Sequence, residues 1–265
     1  MSIEKEFFSI ATDNENGAFH ITKNTAVLCK KALSENYPYN KMEKNLLFIK
    51  EKQNMMAPVI NLIKGILSFL KKKESPEKIV SFLDNFLISF ESSSKKAAEN
   101  AADFIPENSV LLTHSFSSLV CESILKAQRK GKNLKVFCTE SRPNLEGVKL
   151  AEILSKEGIK TTIITDAEGG FLMKEADIFL IGADAINKNF LVHKIGTLPI
   201  TLSAKFFDKQ VVSVASSQKF LEEEIQNQLP QDKKEIIKKE SLNALNFYFD
   251  FTPLTLIDKI ITERK

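Results

Sequence analysis

Polar side chains that could do chemistry follow directly after four short apolar runs in the middle of the sequence. The four polar clusters are Thr113-His114-Ser115, Thr139-Glu140-Ser141-Arg142, Asp166-Ala167 and Gly182-Ala183-Asp184. The carboxyl of Asp184 could act as an acid or a base once burial moves its pKa. The hydroxyl of Ser115 would need a neighbouring base before it could ionise near neutral pH. If the first strand continues, His114 points to the opposite side and does not supply that base.

The apolar runs before these clusters predict buried parallel strands. Together with one later run they cover residues 110–113, 135–138, 161–165, 178–181 and 211–215. They are rich in Val, Ile, Leu and Phe without strict alternation, which is typical of strands buried on both faces. In an open parallel sheet, ligands bind just outside the carboxyl ends of the strands. We therefore expect the polar clusters to converge on one edge of the sheet.

Helical periodicity dominates the first hundred residues. Amphipathic helices are predicted for residues 21–33, 42–53, 59–70 and 76–103, and later ones for residues 116–129, 145–158, 171–175, 197–209 and 254–262. The charged stretch 222–241 is predicted to be a solvated loop with some helix. The sequence thus predicts an α/β protein with a helical domain (1–105) followed by a parallel-sheet domain (106–265).

Composition narrows the class of protein. The 265 residues are 43% hydrophobic, which is enough for a core, and 37 basic against 34 acidic residues give a net charge of +3. This balance favours neither nucleic acid nor a membrane surface as a partner. The three cysteines are isolated and predict reduced core thiols, so we expect no metal site and no cofactor. With no signal-like amino terminus and no long apolar window, a cytoplasmic location is expected.

The motifs as a set resemble one protein family. They are Leu112-Thr113-His114-Ser115, Thr139-Glu140-Ser141-Arg142-Pro143 with Gly147, Gly182-Ala183-Asp184, Lys194-Ile195-Gly196-Thr197, Lys219-Phe220 and Phe249-Asp250-Phe251-Thr252-Pro253. The family joins the alpha, beta and delta subunits of eukaryotic translation initiation factor 2B with isomerases of ribose 1,5-bisphosphate and methylthioribose 1-phosphate. The resemblance spans residues 17–263. It implies a Rossmann-like carboxyl-terminal domain with a ligand pocket against the helical domain.

For catalysis, the resemblance implies a cysteine after the first strand and the aspartate of the Gly-Ala-Asp motif. The aspartate is present as Asp184, but the cysteine position is Ser115. Each residue also has a purely structural interpretation. Ser115 could be a hydrogen-bonded serine at a strand end, and Asp184 could cap a helix or a turn. If the protein is an enzyme, these two are the candidate catalytic residues.

For ligand binding, the resemblance indicates six residues that would contact the ligand. It also indicates three positions where this sequence differs from the isomerases. The candidate contacts are Gly17, Gln53, Arg142, His193, Lys194 and Lys219. Arginines of the isomerase pattern fall on Asn16 and Gln53, and a glutamate falls on Ser216. Losing two charge-assisted contacts of about 1.5 to 3 kcal/mol each corresponds to roughly 10² to 10⁴ in affinity for a bisphosphate.

Two functions remain open from the sequence. The first is an initiation factor 2B-like protein that binds a phosphorylated sugar or a nucleoside monophosphate without isomerising it, and that acts through assembly. The second is an aldose-ketose isomerase acting on a sugar 1-phosphate. The resemblance also implies pairing, for which an apolar closing segment is available, and we expect a homodimer or larger oligomer. The residues of this segment are Phe247, Phe249, Phe251, Leu254 and Ile257.

Overall fold

The computed structural model describes residues 2–225, 228 and 230–264. Its α-helices are α1 (Ile3–Ala11), α2 (Ala18–Ser34), α3 (Tyr39–Lys52), α4 (Ala57–Lys71), α5 (Pro76–Phe104), α6 (Ser118–Arg129), α7 (Glu146–Lys156), α8 (Asp166–Leu172) and α9 (Thr197–Phe206). Its strands are β1 (Val110–Thr113), β2 (Lys135–Thr139), β3 (Lys160–Ile164), β4 (Ile178–Ile181), β5 (Ala185–Ile186), β6 (Phe190–Lys194), β7 (Gln210–Val214), β8 (Phe249–Pro253) and β9 (Lys259–Ile261).

A six-stranded parallel sheet organises the carboxyl-terminal part of the chain. The strand order is β3-β2-β1-β4-β7-β9, and every neighbouring pair is parallel. All four residues of β4 are buried, as expected for a central strand covered by helices on both faces. The sequence prediction of an α/β fold with a parallel sheet is confirmed, and the five predicted strands are all present.

A small antiparallel sheet was not predicted from the sequence. It has the order β5-β6-β8, and it pairs His193 with Asp250 and Lys194 with Phe249. Strand β5 has only two residues, so it leaves no periodic signal in the sequence. This sheet places two site candidates, His193 and Lys194, next to each other on one strand.

The predicted closing helix at 254–262 is wrong. The segment forms a short 3₁₀ turn, Leu254–Leu256, followed by β9 at the edge of the main sheet. Its apolar residues fit helical spacing, but Ile261 is buried beside Val214 of β7. Pairing with an open sheet edge satisfies the backbone and buries these side chains, and this tertiary gain outweighs the local preference.

The amino-terminal part contains one more helix than predicted, because α1 precedes the four expected ones. Buried aliphatic residues of α1 to α5 form one core, whereas the last turns of α5 pack into the core of the sheet through Ala97, Ala101 and Ala102. Helix α5 ends at Phe104 and β1 begins at Val110. The division into domains at 105/106 stays a prediction.

The connection between β7 and β8 is long and mostly exposed. Residues 222–241 were predicted to be a solvated loop, and their described part contains one 3₁₀ turn, Lys233–Glu235. Residues 226, 227 and 229 of that prediction lie outside the described residues. Glu235 accepts hydrogen bonds from Tyr248 (2.6 Å) and Asn246 (2.7 Å), which ties this connection to the start of β8. Every helix of the described chain is too short or too polar to cross a bilayer.

Candidate ligand-binding cleft

A cleft of about 170 Å³ lies between the amino-terminal helices and the carboxyl edge of the sheet. Six of the eight predicted site residues line it: Gly17, Gln53, Ser115, Asp184, His193 and Lys194. Lys219 lines a smaller adjoining cavity of about 60 Å³, which shares Gly17, Asp184 and His193 with the cleft. Arg142 lines neither cavity, and its side chain is exposed.

Asp184 lies at the centre of the site, where the two cavities meet. One of its carboxylate oxygens is 3.2 Å from Nδ1 of His193, and the other is 3.9 Å from Nζ of Lys219. Burial by itself would raise the pKa of Asp184, but the hydrogen bond with His193 and the charge of Lys219 outweigh burial and hold the pKa below its usual range. Nε2 of His193 faces the carbonyl oxygen of His114 at 3.3 Å, so both ring nitrogens of His193 have partners within the chain.

Helix α4 holds the backbone around this charged group. The first amide of α4, from Ala57, donates to the carbonyl of Asp184 at 2.9 Å. Asn61 donates from Nδ2 to the carbonyl oxygens of the residues before and after Lys219, at 3.0 and 3.1 Å. Burial lowers the pKa of Lys219, and attraction to Asp184 opposes this shift only in part. The amino-terminal helices therefore position the charges that the sheet supplies.

Lys194 forms a second buried ion pair across the cleft. Its Nζ lies 3.1 and 3.0 Å from the two carboxylate oxygens of Glu146, the first residue of α7. The same ammonium group lies 5.0 Å from the centre of the Tyr248 ring, within range for a cation–π contact. Lys194 thus has one ionic and one aromatic partner within the chain.

His114 connects the strand ends behind the cleft. Its Nε2 is 2.8 Å from the carbonyl oxygen of Ile195, which can only accept, so Nε2 carries the proton of the neutral ring. Nδ1 then accepts from the hydroxyl of Thr139 at 2.6 Å, and that hydroxyl is 3.1 Å from Oγ of Ser141. Burial lowers the pKa of His114 to about 4, which favours this neutral form.

Ser115 has a backbone conformation that few non-glycine residues adopt. Its φ is +66°, and its amide donates to Oγ of Ser141 at 2.8 Å. Strand β1 ends at Thr113, so the expected strand alternation no longer applies at His114 and Ser115. The His114 ring nevertheless points away from the cleft, and the Ser115 hydroxyl has no hydrogen-bond partner among the described residues.

The two positions where the resemblance implies arginines are occupied by side chains with local structural partners. Nε2 of Gln53 donates to the carbonyls of Ala11 (3.1 Å) and Asp13 (3.0 Å), which ends α1 and fixes the following turn. Asn16 donates from Nδ2 to the carboxylate of Asp13 at 2.8 Å. These side chains shape one wall of the cleft but bring no positive charge to it.

The loop after β2 passes beside the cleft without directing Arg142 into it. Asp166 accepts from the amides of Ser141 (2.8 Å) and Arg142 (2.7 Å), which fixes the loop. Next in the chain, Gly147 packs so closely on β2 that a Cβ there would overlap the carbonyl oxygen of Thr139. The assignment of Arg142 as a ligand contact stays a prediction, and its exposed position does not support it.

Thiol chemistry is not available in the described part of the cleft. Cys29, Cys121 and Cys138 are all buried in the two main cores. Burial raises the pKa of their thiols to about 12, 11 and 12 respectively, so none is a ready nucleophile. The described residues also contain no group of three or more His, Cys, Asp or Glu side chains that could hold a metal ion.

Comparison with known proteins identifies the family. The model of the initiation factor 2 subunit family, IF-2B, matches residues 20–264. This chain belongs to the IF-2B family. The recognition of the family from its motifs is therefore confirmed.

Relatives within the IF-2B family have different names. A translation initiation factor eIF-2B subunit 2-like protein of Pyrococcus furiosus is 31% identical over 232 residues, which cover 87% of this chain and 84% of the relative. The ribose 1,5-bisphosphate isomerase of Methanocaldococcus jannaschii is 35% identical over 216 residues, 77% of this chain and 69% of the relative. The crystal structure of Pyrococcus horikoshii OT3 translation initiation factor eIF-2B superposes with a TM-score of 0.89 at 27% identity, covering 98% and 94% of the two chains.

Sequence reasoning missed two residues of this IF-2B protein that shape the cleft. Glu146 lies four residues after Arg142, within the same strand-end motif, and this position could have indicated it. Tyr248 directly precedes the closing motif, but its direction depends on β8 and on Glu235, so the sequence carried no signal for it. Both residues contact Lys194, which the sequence did indicate.

The buried His114 predicts a pH dependence of stability. The pKa of this histidine is 6.5 in the unfolded chain and about 4 in the folded one. Between pH 6.5 and pH 4, the histidine is therefore mostly protonated in the unfolded chain and mostly neutral in the folded chain. The free energy of unfolding should fall as pH is lowered from about 6.5 to about 4, with His114 contributing about 3 kcal/mol of that loss. Urea unfolding from pH 8 to pH 4 should show a shallower fall in His114→Gln than in the unaltered protein. Equal slopes would contradict the role given to the buried ring.

Proposed function

We propose that this protein binds a phosphorylated sugar or a nucleoside monophosphate in the cleft, does not isomerise it, and acts through assembly. The observation that carries the proposal is the state of the central site. Asp184, His193 and Lys219 form a buried charged group that opens to the cleft, whereas the neighbouring nucleophile position is the hydroxyl of Ser115. The arrangement supports binding of a polar ligand more than proton transfer by a thiol.

Phosphate recognition is supported by the small cavity beside Asp184. It is lined by Gly17 at the start of α2, by Ser117 and Ser118 at the start of α6, and by the buried Lys219. Gly17 offers no side-chain cap to α2, and the space around its Cβ position is open. Free amides at a helix amino terminus together with a lysine suit a phosphate.

The alternative, an aldose-ketose isomerase, is favoured by one observation, the position of Asp184 in the cleft. Against it, a serine needs a base to become a nucleophile or an acid-base group. Both ring nitrogens of the adjacent His114 are already hydrogen-bonded, to Thr139 and to Ile195. The names of the relatives include both an initiation factor and an isomerase, so they do not decide between the two functions.

Assembly is proposed on a different surface from the one that the sequence indicated. The closing segment is partly used within this chain, because Phe249 and Phe251 pack inside it, and Leu254 and Ile257 pack against the sheet core. Pairing through this segment stays a prediction. Exposed apolar side chains lie instead on α8 and α9: Phe206 is 83% exposed, Phe171 64% and Leu202 51%. A group of this kind is typical of an interaction surface, and we propose that two copies pair there.

The first prediction of the proposal concerns binding. Ribose 5-phosphate or adenosine 5′-monophosphate should bind the unaltered protein in isothermal titration calorimetry. Lys219→Met should weaken that binding at least about tenfold, because it removes a charged phosphate donor. The matched control is Lys188→Met, which removes an exposed lysine outside the cleft and should leave the dissociation constant unchanged. Absence of heat with both compounds would refute the binding function.

A second prediction concerns turnover. The unaltered protein and Ser115→Cys should both leave ribose 1,5-bisphosphate and methylthioribose 1-phosphate unchanged in a ³¹P NMR time course. A thiol alone does not position the substrate, and a displacement of about 1 Å can cost roughly 10² in rate. Turnover by the unaltered protein that is lost in Asp184→Asn would establish the isomerase instead. Turnover by Ser115→Cys alone would show that only the thiol had been missing.

A third prediction concerns assembly. Light scattering at micromolar concentration should give about twice the chain mass of 29.9 kDa. Phe206→Asp should shift the protein to the monomer, because a charge would be buried at the apolar contact. Ile88→Asp places the same charge at a 65% exposed position of α5 and should leave the dimer intact. A monomeric unaltered protein, or an unaffected Phe206→Asp dimer, would exclude this surface.

A further inference from the structure

The positive charge of Lys194 is already neutralised inside the cleft. Lys194 is buried, and both carboxylate oxygens of Glu146 lie within 3.1 Å of its Nζ. Glu146 is the first residue of α7, where the positive end of the helix dipole favours a carboxylate. A phosphate that approached Lys194 would therefore also meet the negative charge of Glu146.

The acidic and lysine side chains that line the cleft and its adjoining cavity are equal in number. Its described lining includes the carboxylates of Asp13, Glu15, Glu146 and Asp184 and the ammonium groups of Lys52, Lys149 and Lys194. Lys219, in the adjoining cavity, faces Asp184. The charges of four carboxylates and four lysines therefore cancel. Each phosphate brings about −1.5 to −2 charges at pH 7, so a second phosphate doubles the negative charge that this balanced set of groups must accommodate.

The two ends of the site differ in chemistry. At the Lys219 end, the open amino terminus of α2 supplies amide donors, which suits one phosphate. At the Lys194 end, the carboxylate of Glu146 can accept hydrogen bonds from sugar hydroxyls but repels a second phosphate. The side chains of Asn16 and Gln53 add no cation that would offset this repulsion.

We infer that Glu146 is a specificity-determining residue, which makes the cleft selective for ligands with a single phosphate and against bisphosphates. This inference rests on the binding function proposed above and narrows its ligand class. The carboxylate acts in two ways: it occupies Lys194, and it places a negative charge where a second phosphate would bind. The favoured ligand is a sugar monophosphate or nucleoside monophosphate with free hydroxyls at the end away from its phosphate.

The test is a pair of ligands that differ by one phosphate. Calorimetric titrations with ribose 5-phosphate and ribose 1,5-bisphosphate give the ratio of the two dissociation constants. The unaltered protein should bind the monophosphate at least as tightly as the bisphosphate. In Glu146→Gln, the freed Lys194 can contact the second phosphate, and the bisphosphate should gain about tenfold or more relative to the monophosphate.

The controls separate this inference from the function on which it rests. Glu152→Gln removes the same charge from an exposed position of α7 outside the cleft and should keep the ratio within about twofold. The ratio in the unaltered protein tests the inference even if Glu146→Gln fails to fold, and a clear preference for the bisphosphate would overturn it. An unchanged ratio in a folded Glu146→Gln would overturn it as well. If no monophosphate binds at all, the binding function itself is refuted and this inference falls with it.

Discussion

Charged side chains can be buried at the carboxyl edge of this sheet only because each meets a partner there. An unpaired buried ion costs several kcal/mol even after the surrounding protein relaxes. Lys219 and His193 share Asp184, and Lys194 faces Glu146. Lys194 and Glu146 are far apart in the chain, as are Lys219 and Asp184, so the elements that carry them must dock together before these charges can be tolerated. Formation of the ion pairs in the cleft is therefore coupled to folding, independently of any ligand.

Two aspartates outside the cleft fix its borders through backbone amides. Asp166 holds the loop after β2, and Asp250 accepts from the amides of Gly196 and Leu198 at 2.9 Å each, which caps the start of α9. Gly196 has a φ of +106°, a conformation that favours glycine at this turn. These carboxylates occupy the amides that could otherwise bind an anion. The amino terminus of α2, which has no such cap, differs from them in this respect.

The IF-2B family includes both eIF2B-like proteins and sugar-phosphate isomerases, so the fold does not decide the function and the side chains at the strand ends must. In this chain Asp184 is retained in the cleft, whereas the thiols are buried in the cores and Gln53 supports a turn. The cavity is present together with these side chains. The proposed binding function uses this polar cleft, and the proposed pairing uses the exposed aromatic side chains on α8 and α9.

The sequence by itself determined the parallel sheet, most of the helices, the family and six of the residues that line the cleft. Apolar runs and helical periods are local properties, and parallel strands necessarily bring their carboxyl ends to one edge. Only the tertiary structure decided that Arg142 lies outside the cleft, that Glu146 neutralises Lys194, and that the last apolar segment is a strand. Side-chain direction in loops and the pairing of a sheet edge depend on contacts between residues far apart in the chain. Such contacts leave no period in the sequence, because their energy exists only once the distant elements have packed together.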